Sequence, residues 1–359
     1  MCSIFAAIIR PAFSQMEINE EIRIAEDGDM RSLLLALDRT AQYLENHATG
    51  APNILGMPVD RMKMLATVQK LRSILLRYKN PTLLSEALSA GFEFYRAPSG
   101  TLVTGYYNPV LIASRQKTER FIYPIYGRPF DLQCQGDKCW RILPDGSKAP
   151  YYTRKEIDND GVLNGKNLEI AWVDDPIERY WMQVQGSCIL KFTDGSVATL
   201  KFAGHNGYPY RSIAQDLIDQ KKVKGDFLGI KNWLRNRPQE ALQYFTGNKR
   251  YIFFALSSGP PTGVEGIPLS PARTLAADLS QFPAGTIIYL QCQIPVVDDS
   301  GNVKAFQKIN RIMTIADTGD AIRGPNHVDY YVGEGIQAEY IASRLKTQGN
   351  MHVILLREP

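Results

Sequence analysis

The sequence predicts a mainly β protein that begins with helices. Apolar residues recur at helical spacing in the first ninety residues, and short runs rich in Tyr, Val, Ile and Phe follow from Phe92. A helical interlude from about Ile213 to Tyr244 then separates two β regions. The chain has 359 residues, 44% of them apolar, so it is long enough for two domains with substantial cores. The sequence shows no flexible linker, and we therefore expect one domain to interrupt the other.

Three helices are expected before the first strand. Asp29 is the predicted cap of the first, and the second has apolar residues at helical spacing around Val68. The third has Asn80 as its cap, Pro81 at the first helical position and Gly91 just past its end. These helices are predicted to be scaffold.

The β regions are divided by turn signals. Short strands broken by such turns are typical of β-barrels or sandwiches, and the signals are Asn108-Pro109, Asp145-Gly146, Asp160-Gly161 and Asp194-Gly195. The second β region ends with predicted strands at Ile312 to Ala316 and Val328 to Val332. A helix around Ala338 to Leu345 and a strand from His352 to Leu356 follow.

Composition and motifs exclude several classes of function. The 41 Lys and Arg against 37 Asp and Glu give a net charge of +4, too small for a nucleic-acid binder that neutralises phosphates. No stretch approaches the roughly 20 apolar residues of a membrane span. The chain has no phosphate loop, no His-Glu-x-x-His and no Gly-x-Ser-x-Gly, and its four histidines are scattered. We expect no metal and no cofactor, and chemistry carried by carboxylates.

The N-terminus and the cysteines bear on the compartment. An apolar run from Met1 to Ile9 and the residues after it are similar to the late part of a secretory signal, although a basic beginning is missing. A disordered or docked N-terminus is an equal alternative. Cys134 and Cys139 flank a Gly-Asp turn, and this spacing suits a disulfide in an oxidising compartment or two free thiols in a loop.

Asp317 and Asp329 are the candidate catalytic residues. They stand on either side of a glycine-bounded loop, each beside strand residues that would hold it rigidly, which favours an acid/base pair. Asp329 and Tyr331 share one face of an alternating strand, so we expect aromatic neighbours to desolvate Asp329 and raise its pKa. The alternative is that both aspartates cap turns, as Asp beside Gly commonly does.

Two motifs point to other functions. Gly333-x-Gly335-x-x-Ala338, with Glu358 about 20 residues on, imitates a dinucleotide fingerprint, but that fold needs further βα units. A tight turn with positive φ is the simpler interpretation. Asp317-Thr318-Gly319 matches the motif of aspartic proteases, which need two copies, and a hydrolase that uses Asp317 remains a minor alternative.

The run from Ala316 to Gly335 resembles the C-terminal signature of the membrane-bound lytic murein transglycosylase A family. Other stretches agree in the family's order, and the resemblance extends from about Phe92 to the end: Thr104-Gly105-Tyr106-Tyr107-Asn108-Pro109, Tyr123-Pro124-Ile125-Tyr126, Met182-Gln183-Val184-Gln185-Gly186-Ser187, Gly204 to Ser212, Pro268-Leu269, Arg273 and Pro283-Ala284-Gly285-Thr286. The chain departs from the family at Cys188 and Asp320, where the family commonly has Gly, and at Val328, where it commonly has Phe.

The resemblance implies a double-psi β-barrel domain with the N-terminal helices, built from residues 21–107 and 246–359. Residues 108–245 would be an inserted smaller β-barrel that forms the other wall of a glycan groove, and residues 1–20 the remnant of an export signal. Asp329 would cleave peptidoglycan as acid and then base, leaving 1,6-anhydromuramic ends, with Asp317 supporting it. The resemblance and the residue types give these candidates for glycan binding: Thr104, Tyr106, Tyr107, Gln183, Gln185, Gly186 and Ser187.

The expected protein is thus an exported monomer, periplasmic or associated with the outer membrane, whose partner is the peptidoglycan glycan strand. A glycan-binding protein that has kept the groove and lost catalysis is the second hypothesis, because fold alone does not decide function. The intact Asp317 and Asp329 argue against it.

Overall fold

The N-terminal helices form where the apolar periodicity predicts them. The computed structural model describes residues 22–98, 100–224 and 227–358, so the predicted export-signal remnant lies outside the described residues. Asp29 and Asn80 accept hydrogen bonds from backbone N–H groups of the helices that they begin. The first elements are α1 (Met30–Asn46), β1 (Asn53–Ile54), β2 (Met57–Pro58), α2 (Arg61–Arg77), α3 (Pro81–Gly91), β3 (Phe92–Arg96) and β4 (Thr101–Asn108). Gly91 is the last residue of α3 rather than the first one beyond it, a one-residue difference at a helix end.

The central part of the chain alternates short strands with short helices. The predicted helical interlude is three helices, α6 to α8, and two further helices, α4 and α5, lie within the region predicted as strands. The elements are β5 (Val110–Ala113), β6 (Tyr123–Tyr126), β7 (Gln133–Gln135), β8 (Lys138–Ile142), β9 (Lys148–Pro150), α4 (Arg154–Asp158), β10 (Glu169–Val173), α5 (Pro176–Gln185), β11 (Cys188–Phe192), β12 (Val197–His205), α6 (Ile213–Asp219), α7 (Phe227–Arg235), α8 (Pro238–Gly247) and β13 (Ile252–Ser257).

The C-terminal part supplies most of the large barrel. Its elements are a 3-10 turn (Val264–Gly266), β14 (Thr274–Ala276), β15 (Ile287–Val297), β16 (Val303–Asp317), β17 (His327–Glu334), α9 (Gly335–Arg344) and β18 (Lys346–Leu356). Gly333, near the end of β17, and Gly335, the first residue of α9, have φ of 135° and 77°, in agreement with the predicted turn of positive φ. Within the described ranges, no helix is long and apolar enough to cross a membrane.

The large sheet closes on itself. Its order is β15-β16-β14-β17-β4-β18, and β18 pairs with β15 to complete a six-stranded barrel, with β3 added at the edge of β18. Strand β4 lies between β17 and β18, so the barrel combines a strand that precedes the insert with strands that follow it. This closed barrel, interrupted in sequence by a second domain, confirms the predicted fold class.

The inserted domain is a second, smaller ring of strands. A sheet of order β13-β12-β11-β5 is joined to the β6–β10 pair by two isolated bridges, Ser114 with Trp172 and Gly127 with Phe254. Strand β13 pairs with β12, so residues 252–257 lie with the insert and not with the large barrel, where the sequence prediction put them. The boundary between the domains therefore falls after β13.

A covalent link and a buried ion pair stabilise local parts of the two domains. Cys134 and Cys139, directly opposite on β7 and β8, form the predicted disulfide. In the barrel domain the Arg273 guanidinium lies 2.8 Å from a Glu26 carboxylate oxygen, both side chains almost fully buried. Arg273 also donates to the carbonyls of Asp29 and Ile312, which ties the start of α1 to the strands beside β14.

Candidate active site in the barrel domain

The two candidate aspartates lie in one row of residues across four barrel strands. Asp329 on β17 is paired with Thr104 on β4 and, on its other side, with Ala276 on β14. Asp317, the last residue of β16, is paired with Ala276 from the opposite side. Paired residues on neighbouring strands face the same side of a sheet, and a strand spacing of about 4.8 Å puts the two aspartate backbones roughly 10 Å apart. Ala276 between them carries only a methyl group, which leaves room above it.

Asp329 is held through one carboxylate oxygen. The Thr104 hydroxyl donates a short hydrogen bond to Oδ1, and His327 Nε2 lies 3.2 Å from the same atom. His327 Nε2 is also 2.8 Å from Thr104 Oγ1. Because the single hydroxyl proton of Thr104 goes to Asp329, the His327 Nε2–H group is the donor to the threonine oxygen. Among the described residues Oδ2 has no hydrogen-bond partner, and 26% of the Asp329 side chain is exposed, so this oxygen can meet a ligand.

Asp317 lies in a more enclosed environment. The rings of Tyr106 and Tyr331 pack beside it with centroids 5.1 Å apart and planes tilted by 40°. The pKa of Asp317 is raised to about 6, mainly by burial and also by the charge of Asp329, whereas the Thr318 N–H and the Tyr106 hydroxyl oppose this shift. A pKa of about 6 lies close to neutrality, so this carboxyl changes charge near physiological pH.

The sequence placed the aromatic, desolvating neighbours at Asp329, and the structure places them at Asp317. Tyr331 does share a strand face with Asp329, but its ring packs against Tyr106, whose hydroxyl interacts with Asp317. The reason is the pairing of β17 with β4, which brings Tyr106 opposite Tyr331. Asp329 keeps polar neighbours and partial exposure instead.

Two glycines allow the backbone to come close to the row. A Cβ on Gly105 would lie 2.8 Å from the Cα of Ala342, so α9 can pack onto β4 behind Thr104 only with glycine there. A Cβ on Gly263 would lie 2.1 Å from the carbonyl oxygen of Ala316. The loop before the 3-10 turn therefore passes directly over the backbone that carries Asp317.

Two of the predicted glycan-binding residues are buried away from the row. Tyr107 is 3% exposed and its hydroxyl donates to Glu339 on α9 at 2.9 Å. Gln183 is 4% exposed and its side-chain oxygen accepts from the Arg154 guanidinium at 2.6 Å. The structure thus gives both residues internal partners.

Three more of the predicted binding residues, Gln185, Gly186 and Ser187, lie at the junction of the domains. Gln185 and Gly186 end α5, and the side-chain oxygen of Gln185 is 3.4 Å from the Tyr107 backbone N–H. The Ser187 hydroxyl accepts a short hydrogen bond from the Asn108 amide. Since Tyr107 and Asn108 follow Thr104 by three and four residues on β4, this group lies about 10–13 Å along the strand from the row. All three residues are partly exposed.

His327 is the site residue that the sequence predictions missed. The scattered histidines argue against a metal centre, and His327 is otherwise only part of the run that resembles the family signature. Alternation on the strand was the available signal, because His327 and Asp329 are two residues apart and therefore share a face. The structure adds Thr104 to complete the hydrogen-bonded group.

The departures from the family pattern leave this row intact. Val328 is fully buried and faces the barrel core, opposite to Asp329. Cys188 is fully buried in the core of the insert, and Gly186 still has the positive φ of 77° that ends α5. Asp320 makes an ion pair with Arg250 of the insert.

These features define a two-domain barrel protein with an acidic site on the large barrel. Comparisons agree for both domains, since residues 102–255 match the MltA specific insert domain and residues 273–355 match the 3D domain. The chain belongs to the membrane-bound lytic murein transglycosylase A family.

Individual relatives are similar over much of the chain. Membrane-bound lytic murein transglycosylase A of Vibrio cholerae is 32% identical over 70% of this chain, and the match spans 64% of that relative, just under two thirds. A membrane-bound lytic murein transglycosylase structure from Agrobacterium tumefaciens has a TM-score of 0.76 and 25% identity, covering 92% of this chain and 93% of its own. Escherichia coli MltA with bound chitohexaose has a TM-score of 0.75 and 23% identity, covering 96% of each chain, and this likeness concerns the fold alone.

Proposed function

We propose that this protein is a lytic transglycosylase that cleaves the β-1,4 bond between N-acetylmuramic acid and N-acetylglucosamine in peptidoglycan. The main support is the position of Asp329, whose Oδ1 is held by Thr104 and His327 while Oδ2 is left for a ligand. Membership of the family supports the substrate class. A protein of similar fold was solved with chitohexaose, which is in line with a saccharide ligand for this groove.

Asp329 acts first as an acid and then as a base. Its protonated carboxyl gives a proton to the glycosidic oxygen, the C1–O bond breaks, and positive charge develops on the muramic ring. The resulting carboxylate takes the proton of the muramic C6 hydroxyl, and O6 bonds to C1 to give the 1,6-anhydro sugar. The nucleophile belongs to the substrate, so the second carboxylate that hydrolytic glycosidases require is not needed.

Asp317 supports this reaction through its charge. With a pKa of about 6, raised by burial, it is mostly ionised at neutral pH and can stabilise the positive ring. It lies on the same sheet face as Asp329 but about 10 Å away along the row, so it acts across the ring rather than on the scissile oxygen.

The polar groups at the end of α5 extend the site. Gln185, Gly186 and Ser187 are partly exposed at the junction of the domains and offer hydrogen bonds to sugar rings beyond the cleaved bond. The partly exposed Tyr106 ring, which packs against the buried Tyr331 ring, offers an apolar surface at the other end, beside Asp317.

We place this activity in the cell envelope. The substrate lies there, and the Cys134–Cys139 disulfide is typical of an oxidising compartment such as the periplasm. Attachment to the outer membrane and a monomeric state are part of the same proposal. Asp329 and Asp317 require no metal or cofactor for the steps described.

Digestion of purified sacculi tests the function. We expect soluble muropeptides whose muramic ends are one water lighter than reducing ends by mass spectrometry. Predominantly reducing ends would show that water is the nucleophile, and Asp317 would then be the first candidate for a second catalytic carboxylate. Binding to sacculi without any release of products would support the non-catalytic glycan-binding alternative instead.

A further inference from the structure

Two ion-pair contacts join the barrel domain to the insert, and they differ in burial. On one side, the Lys231 ammonium on α7 lies 2.7 Å from Glu178 on α5 and 2.6 Å from Glu339 on α9 of the barrel domain, and Lys231 is 2% exposed. On the other side, Arg250 of the insert pairs with Asp320, whose side chain is 60% exposed.

The Arg250–Asp320 pair is attached directly to the catalytic loop. Asp320 is three residues beyond Asp317, in the loop that connects β16 to β17 and therefore connects Asp317 to Asp329. Arg250 stands just before β13, and its guanidinium also donates to the carbonyl of Tyr208 at 3.1 Å. The pair thus links the segment that carries both carboxyls to a strand of the opposite domain.

The different burial of the two contacts implies different lifetimes. Separating Lys231 from Glu339 would leave a buried charge without compensation, which is strongly unfavourable. Arg250 is itself mostly buried, with 14% of its side chain exposed, but away from Asp320 it can keep its hydrogen bond to the Tyr208 carbonyl, and the Asp320 carboxylate returns to water. Breaking this pair therefore costs less than breaking the Lys231 contact. Relative motion of the domains is therefore expected to keep the Lys231 contact and to break the Arg250–Asp320 contact.

We propose that Arg250 and Asp320 form an interdomain latch that holds the insert over the catalytic loop, and that the groove opens by pivoting about the Lys231 contact. Asp320 is a positioning residue, since it acts through the domain arrangement and not on the sugar. The consequence for catalysis rests on the proposed function, but the latch itself does not.

Distance measurement tests the latch without any activity. Spin labels at Ser73 on α2 and Gln243 on α8, both exposed and in different domains, are introduced with Cys2 replaced by Ser, because Cys188 and Cys292 are buried and the other two cysteines are bonded. We expect a narrow interlabel distance distribution at low salt that broadens in Asp320→Asn. High salt should broaden the distance distribution of the unsubstituted protein in the same way, because salt screens the attraction between Arg250 and Asp320.

The control variant is Asp299→Asn, which removes an equal charge from an exposed position on the β15–β16 hairpin and should leave the distribution unchanged. The charge-reversed pair Asp320→Lys with Arg250→Glu should restore the narrow distribution, which a loss of local folding would not allow. An unchanged distribution in Asp320→Asn overturns the latch.

Kinetics on soluble glycan strands test its role in positioning. Asp320→Asn should raise KM by up to about five-fold, the range of an exposed ion pair, with kcat nearly unchanged. The charge-reversed pair should recover most of this loss. An unchanged KM together with a broadened distance distribution would overturn the positioning role, and inactivity of the unsubstituted protein would instead refute the proposed function.

Discussion

Asp317 and Asp329 face the same side of the barrel with one alanine between them, yet their surroundings differ in almost every respect. Asp329 is partly exposed and is oriented by a threonine and a histidine on one oxygen. Asp317 lies beside two tyrosine rings, and burial raises its pKa to about 6. The same residue type thus presents an oriented, accessible oxygen at one position and a carboxyl that titrates near neutrality at the other.

In the proposed mechanism, Asp329 contacts the substrate and Asp317 controls the charge around it. Environments that distinguish two nearby carboxyls are how one site assigns them different roles. Asp329 has the geometry to exchange a proton with a ligand through Oδ2. Asp317 has the electrostatic environment to respond when charge develops nearby. Substitutions that change one carboxyl and leave the other intact test whether Asp329 and Asp317 have these different roles.

Asp329→Asn should have the largest effect. An amide keeps the shape but supplies no acidic proton, so we expect cleavage of sacculi to fall by about 10²–10⁴-fold, the usual contribution of a general acid. The melting temperature should change little, because the side chain is partly exposed. Release of muropeptides and a thermal melt are the two measurements.

Asp317→Asn is the matched comparison and should leave a measurable remainder of activity. If Asp317→Asn were inactive and Asp329→Asn nearly fully active, the two roles would have to be exchanged. Full activity in both variants would place the chemistry elsewhere on the molecule.

Thr104→Val should have the next largest effect. The substitution keeps the branched shape and removes the hydroxyl that orients Asp329 Oδ1. A hydrogen bond to a charged group contributes about 1.5–3 kcal/mol, so kcat should fall by roughly 10- to 100-fold. Thr104→Ser keeps the hydroxyl and should retain most of the activity. Equal losses in the two variants would show that packing of the methyl group, and not the hydrogen bond, is what matters.

The sequence predicted the two aspartates but not the residues that orient them. Strand alternation put Asp329 on one face of a strand, and it was also sufficient to place His327 there. Thr104 was a candidate because of the family resemblance, not because of its pairing. The hydrogen bond between Thr104 and Asp329 joins residues that are 225 positions apart, on the parallel strands β4 and β17. No local sequence pattern specifies the register in which these two strands pair.

Gln183 and Gln185 are both candidates because of the family resemblance, but helix α5 gives them different environments. In a helix they are about 200° apart, so one is buried and the other is partly exposed. The local signals for the helix were present, since Asp175 caps it, Pro176 begins it and Gly186 ends it with positive φ.

The desolvation of Asp317 lowers the free energy of unfolding by an amount that depends on pH. Its pKa of about 6 in the folded protein is higher than the value near 3.9 in an unfolded chain, so the folded state binds more protons between about pH 4 and 6. The free energy of unfolding should therefore fall as pH rises through this window. The amide in the Asp317→Asn variant cannot ionise, so its free energy of unfolding should not fall with pH in this way.

Chemical denaturation at pH 4 and pH 7 measures the effect. The stability of Asp317→Asn relative to the unsubstituted protein should increase between these pH values by up to about 3 kcal/mol, since each pKa unit corresponds to about 1.4 kcal/mol. The increase is smaller to the extent that the partly exposed carboxyl is solvated. A relative stability that does not change with pH would show that Asp317 is not desolvated and would remove the contrast with Asp329.

The smallest effects are expected at the two glutamines of α5, and they should differ in kind. Gln183→Ala removes the acceptor of a buried Arg154 N–H bond, which costs about 1–3 kcal/mol of stability and lowers the melting temperature by several degrees. The same nitrogen also donates to the Arg250 carbonyl, which favours the lower end of that range. Gln185→Ala should leave stability within about 0.5 kcal/mol, because it removes only a long contact of a partly exposed side chain. Binding of a soluble glycan fragment, measured by calorimetry, should weaken a few-fold in Gln185→Ala and stay unchanged in folded Gln183→Ala. A loss of stability without a loss of binding in Gln185→Ala would make Gln185 a structural residue of the domain junction and would confine the glycan site to the row around Asp329.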